Sequence, residues 1–178
     1  MDTTTDKTVT LIKHIRANAA YGKKKHFNAA DRKERYSHRI NLSITIISLF
    51  ASSSLFYSIV QTKSQYGEAI AFSLVLITMV LSWLLTYFNW QKQSFEHRQI
   101  AHKYLELMKA CTRAISYAED GLLKESDLIE KVELLAQDID EINKDAGCCS
   151  TNGKDYLLAK KGINEGEEEY TEKELSIS

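Results

Sequence analysis

Two long stretches interrupt an otherwise mixed pattern of apolar and polar positions: from Ile40 to Thr62, and from Ala69 to Gln91, there is no Asp, Glu, Lys or Arg. As a helix, each stretch is long enough to cross a hydrocarbon core of about 30 Å. The pattern predicts two transmembrane helices, at 41–60 and 69–91, joined by a short external loop at 61–68. Outside them apolar residues recur in alternating steps of three and four. Val9, Ile12, Ile15 and Ala19 share one face. Ala101, Tyr104, Met108, Cys111, Ile115 and Ala118 share a second, and Leu128, Val132, Leu135, Ile139 and Ile142 a third. Seams this short predict a cytoplasmic helical bundle rather than a long coiled coil.

Punctuation comes from Gly22, Gly67, Gly121 and Gly147, and proline is absent from the chain. A first amphipathic helix is expected over about residues 8–20. Asn28, with Asp31 three residues on, is expected to cap a second helix that runs into the membrane. The second span is expected to continue without a break into the helix of the Ala101 seam, and Asp127 with Glu130 resembles a capping box for the last helix. The predicted fold class is an all-α membrane protein: a two-transmembrane antiparallel helical hairpin with long cytoplasmic helical extensions. Its parts are a basic helical region at 1–40, the spans and loop, cytoplasmic helices at 92–146, and an acidic, mostly disordered tail at 147–178.

Charge sets the orientation. Ten Lys and Arg residues precede the first span and more follow the second, whereas the connecting loop offers only Lys63. By the positive-inside rule both termini are cytoplasmic. Tyr57 and Tyr66 fall at one interface and Tyr36, Tyr87 and Trp90 at the other, where amphipathic rings settle. The first span begins too far into the chain for a cleaved signal peptide. Three cysteines, Cys111 alone and Cys148 beside Cys149, give no disulfide framework and suit a reducing cytoplasm.

The spans are not uniformly apolar. Asn41, Thr45, Ser48 and Ser52 lie along one face of the first, and Asn89, Thr86, Ser82 and Thr78 along one face of the second. Folded as a hairpin, the two stripes match level by level. Two accounts fit them. In the simpler one, favoured for a resting state, the stripes face each other and small hydroxyl residues let the backbones approach. In the other they line a pore between several hairpins, with Glu34 and Glu96 as acidic rings at its cytoplasmic mouth. The two can be successive states. Neither span holds an ionisable residue, which argues against an ion-coupled transporter.

No phosphate-cradling glycine loop, metalloprotease helix or nucleophile elbow is present, so an enzyme is not expected, nor is a cofactor. Five histidines are scattered, although a hairpin would bring His26 and His102 to similar heights; no metal site is expected from them. Lys23, Lys24, Lys25, Arg32, Lys33, Arg35 and Arg39 form a basic juxtamembrane segment whose simplest role is topology and contact with anionic headgroups of the bilayer. The phosphates of a messenger could use the same cations.

The arrangement of a basic helix through "HFNAADRKERYSHRINLSITIISLFASSSLFYSI", a short loop, a second span and "FEHRQIAHKYLELMKACTRAISYAE" resembles the SLATT families, the SMODS- and SLOG-associating two-transmembrane effector domains of bacterial conflict systems. The similarity covers about residues 13–143. It implies a bacterial inner-membrane effector that oligomerises to form a pore or disrupt the membrane when triggered. Partners implied are a nucleotide second-messenger synthase, a nucleotide-sensing protein or a reverse transcriptase, with no direct nucleic-acid binding. The alternative expectation is a non-gated anchor that recruits a cytoplasmic partner through its helical seams.

Overall fold

In a computed structural model, which describes residues 3–60 and 65–167, every element among the described residues is helical: α1 (Thr3–Val60), α2 (Gln65–Phe88), α3 (Trp90–Glu119), α4 (Glu125–Ala146) and α5 (Gly153–Asn164). The chain divides into two compact units, one formed by Met1–Ala30 with Phe95–Ser178 and the other by Asp31–Ser94. Residues 61–64 of the expected external loop and 168–178 of the tail lie outside the described residues, and 65–68, expected in the loop, open α2.

The first unit has its core where the periodicity placed it. Val9, Ile12, Ile15 and Ala19 of α1 pack with Tyr104, Cys111, Ile115 and Ala118 of α3 and with Leu128, Val132, Leu135 and Ile142 of α4. Burial of one large aliphatic side chain contributes about 1.5–3 kcal/mol, so three such faces closing on each other supply the main drive for this bundle. The turn from α3 to α4 is a Schellman motif. Gly121 sits at φ 69°, its N–H reaches the Ala118 carbonyl at 3.1 Å, and the Leu122 N–H reaches that of Tyr117 at 2.9 Å.

Four corrections concern element ends, the first of them covering both Gly22 and Asn28. Gly22 and Asn28 end and start nothing, because α1 runs through both. Gly22 instead lies directly against α3: a Cβ there would lie 2.7–2.8 Å from ring atoms of Tyr104. Asp127 is not the cap of α4, which begins two residues earlier after Lys124 and carries no side-chain cap. The tail is not structureless over 153–164, since α5 forms there behind a capping box in which Asn152 and Asp155 satisfy each other's backbone N–H groups.

The fourth correction concerns the second span, which does not continue smoothly. α2 ends at Phe88, Asn89 takes φ 45°, and α3 starts at Trp90. The Gln93 side-chain amide donates to the Phe88 carbonyl at 2.6 Å, and Lys33 donates to the Gln93 side-chain oxygen at 2.5 Å, so the joint is braced from inside its own unit. Asparagine tolerates the left-handed region better than most residues. Asn89→Gly is therefore expected to leave thermal stability nearly unchanged in detergent, whereas Asn89→Val is expected to cost about 1–2 kcal/mol. Equal melting of the two variants would show that the joint relaxes to ordinary helix.

Candidate functional site: polar stripes and a buried histidine pair

Within the unit Asp31–Ser94, the less exposed positions of α1 from Ser37 to Ala51 are Ser37, Ile40, Ile44, Ile47 and Ala51, again in steps of three and four. Those of α2 include Ala71, Leu74, Thr78, Leu81 and Leu85, and both alanines are buried. The polar stripe of α1 runs beside this face, one residue further on at each turn. Asn41, Thr45, Ser48 and Ser52 are exposed in the single chain, as are Ser82, Thr86 and Asn89; Thr78 alone of the eight is half-buried. The stripes are thus not the least exposed faces of their helices, as mutual packing within one chain would require.

Local hydrogen bonds explain how hydroxyls stand there at little expense. Thr45 donates to the Asn41 carbonyl at 3.0 Å, Ser52 to Ser48 at 2.8 Å, Thr78 to Val75 at 2.8 Å and Thr86 to Ser82 at 3.1 Å. Each donor is satisfied by its own helix, and the oxygen keeps acceptor capacity outward. Asn41 bonds back to the Ser37 hydroxyl at 3.4 Å. Tyr36 meets Trp90 edge-on with ring centres 6.2 Å apart, and Phe88 stacks on Trp90 at 4.8 Å. One helix among the described residues, in the stretch Tyr66–Glu119, is long and apolar enough to cross a membrane.

The acidic pair expected at a mouth is split between the units. Glu34 is exposed in one and Glu96 half-buried in the other. The basic segment is split in the same way. Arg35 and Arg39 are exposed and Arg32 and Lys33 half-buried in the span-bearing unit, whereas Lys23 is buried and Lys24 and Lys25 half-buried in the bundle. Lys24 pairs with Glu167, and the Asn28 amide donates to the Asp155 carbonyl at 3.1 Å. In the segment expected to contact anionic headgroups, Lys24 and Asn28 thus also meet α5 and the turn that follows it.

Beneath it lies a cluster that spacing did not reveal. His26 and His97 are each 1% exposed, and their Nδ1 atoms stand 3.0 Å apart. One Nδ1–H must donate and the other Nδ1 accept, so the pair holds together with one proton between those two nitrogens. Burial first, then the neighbouring His97 and Lys25, lowers the His26 pKa to about 4, while Asp155 acts the other way. Tyr104 packs against His26 with ring centres 5.8 Å apart and hydrogen-bonds the Asn143 side chain at 2.7 Å. Burial raises its phenol pKa. His102, the partner expected for His26 by height, instead meets Phe27 edge-on. Among the described residues, no three His, Cys, Asp or Glu side chains converge as a metal site. Cys111 is buried, its thiol pushed up to about 11, chiefly by desolvation, and none of the three cysteines forms a disulfide.

A model of the SMODS and SLOG-associating 2TM effector domain family 4 matches residues 9–174. No curated protein and no solved structure matches the chain.

Proposed function

The chain belongs to the SMODS and SLOG-associating 2TM effector domain family 4, an effector family associated with conflict systems, and from that premise we propose that it is a regulated pore of the bacterial inner membrane. In this reading residues 41–60 and 69–91 form an antiparallel transmembrane hairpin with both termini cytoplasmic. Several copies assemble, and a partner or nucleotide signal reaching the cytoplasmic helices repacks them until the polar stripes line a channel. The action is passive conduction that collapses ion gradients, and it needs no catalytic residue.

The observation that carries this reading is the offset between stripe and packing face. A hydroxyl row flanking the buried face, with the Thr45, Ser52, Thr78 and Thr86 donors satisfied by their own helices, gains nothing from lipid; it suits contact with a neighbouring copy or with water in a lumen. The Tyr36–Trp90 contact and the Lys33–Gln93 hydrogen bond support the antiparallel pairing at one end. A gate of this kind needs only a few kcal/mol between two packings. The alternative, a non-gated anchor, would recruit its partner through the Ala101–Ala118 and Leu128–Ile142 seams. Those seams are spent in the chain's own core, which favours the pore.

Liposomes carrying the purified protein provide the test. Ion or dye release is expected from the wild type when its native trigger is present. The Ser48→Leu, Ser82→Leu variant should lose it by about tenfold or more while still inserting and oligomerising, because leucine closes and dewets the lumen. Full release by that variant would remove the stripes from the pore, and tight vesicles with the trigger present would favour the anchor.

A further inference from the structure

The C-terminal end of α5 is a second Schellman motif, and its geometry delivers a charge to an unusual place. Gly166 takes φ 76°, its N–H reaches the Ile163 carbonyl at 3.2 Å, and the Glu167 N–H reaches the Gly162 carbonyl at 3.1 Å. In such a motif the residue after the left-handed glycine folds back over the one five positions earlier, usually as a hydrophobic contact. Here those two residues are Glu167 and Gly162. A Cβ on Gly162 would lie 2.5 Å from the Glu167 carboxylate and 2.7 Å from the Lys24 ammonium. The glycine thus leaves the space in which the carboxylate meets Lys24.

Exposure is lopsided across that pair: the Lys24 side chain is 12% exposed and the Glu167 side chain 61%. The cation belongs to the body of the bundle, and the carboxylate visits it from the edge. Lys23, Lys24, Phe27, Asn28, Leu158 and Glu167 line one open cavity, in which two lysines, an amide and two apolar walls surround the Glu167 carboxylate. An ammonium on the wall of such a cavity recognises an anionic oxygen by charge-assisted hydrogen bonding, and phosphate supplies more such oxygens than a carboxylate does.

We propose that this cleft is a binding site for a phosphate group, and that Glu167 occupies it as an internal stand-in which the phosphate displaces. The phosphate is carried either by a soluble phosphorylated molecule or by a lipid headgroup. Displacement frees the turn at residues 165–167 from α1 and removes one of the contacts that seat α5. As a trigger for conduction the site rests on the pore reading, but its occupancy is independent of whether the protein conducts.

Binding of inorganic pyrophosphate to the full-length protein in phosphatidylcholine nanodiscs, measured by calorimetry at fixed ionic strength, tests this directly. The sign for Glu167→Gln is decisive. Removing an internal competitor should tighten binding about fivefold or more, since apparent affinity rises with the fraction of open sites. A merely structural carboxylate would leave binding unchanged or weaken it. Gly166→Ala, which strains the left-handed turn without altering charge, should tighten binding in the same direction. Lys24→Gln should weaken it about tenfold, the loss expected for one charge-assisted hydrogen bond.

Replacing part of the phosphatidylcholine with phosphatidic acid separates the sources. Unchanged pyrophosphate affinity identifies a soluble ligand, and an affinity lowered by the lipid in wild type but not in Lys24→Gln identifies the headgroup. Melting temperatures of the variants close to wild type exclude unfolding as the cause. Failure of both Glu167→Gln and Gly166→Ala to bind pyrophosphate more tightly than wild type overturns the proposal, whatever the vesicles release.

Discussion

Gly22→Ala is expected to destabilise the protein, although alanine is the better helix former by about 1 kcal/mol. The reason is the ring of Tyr104, three of whose carbon atoms would stand 2.7–2.8 Å from the new methyl group. That ring is 2% exposed, packs on His26 and is tied through its hydroxyl to Asn143 at 2.7 Å, so it cannot swing aside as the end of a flexible side chain would. Overpacking of this kind costs about 1–3 kcal/mol for a single methyl. The net loss for alanine is therefore up to about 2 kcal/mol, and Gly22→Val, which adds two more carbons and a stiff χ1, should lose about 3 kcal/mol or more. Thermal or denaturant unfolding in detergent measures both. A double-mutant cycle adding Tyr104→Leu should return part of the alanine penalty, because the clash disappears with the ring. A higher midpoint for Gly22→Ala than for wild type would mean that α1 and α3 do not approach here as described.

Acidification is expected to weaken the bundle through His26. In the fold this imidazole stays neutral until about pH 4, since it is buried and beside His97 and Lys25 with only Asp155 favouring its charge; in the unfolded chain it takes up a proton near pH 6.5. Above pH 6.5 both states are neutral and His26 contributes no slope. Between about pH 6.5 and 4 the unfolded state binds the extra proton, so stability falls as pH falls, by about 3 kcal/mol over the whole window. Below it both states are protonated and the slope from this group ends. A second proton on the pair would set two N–H donors against each other across 3.0 Å, which is the structural form of the same penalty. The measurement is unfolding free energy against pH for wild type and His26→Gln, whose difference removes the carboxylates that titrate in the same range. Curves that stay parallel from pH 7 to pH 4 would show that His26 takes no part.

What the sequence by itself determined is what repeats along the chain. The seams of Val9 to Ala19, Ala101 to Ala118 and Leu128 to Ile142 were legible because each apolar residue sits where a helical period requires it, and all three meet in the core. The charge-free stretches were legible for the same reason, as runs of one kind of residue, and the chain's family followed from their arrangement. Gly121 was legible as a turn because nothing crowds it and it sits at a left-handed φ.

The tertiary structure decided whatever depends on a partner distant in sequence. Gly22 carries the same residue type as Gly121, yet it lies mid-helix, because the demand comes from Tyr104 and not from its own backbone. α5 escaped notice because its inward face is Asp155, Ala159 and Gly162, small or polar residues that give no hydrophobic period; its capping box at Asn152 and its stop at Gly166 were the only local marks. His26 and His97 are 71 residues apart, a spacing that carries no signal until two helices are laid side by side. The polar stripes were visible in sequence, but the face that packs lies one residue away, a turn of about 100°. A period identifies which residues share a face; only burial in the folded chain identifies which face is used.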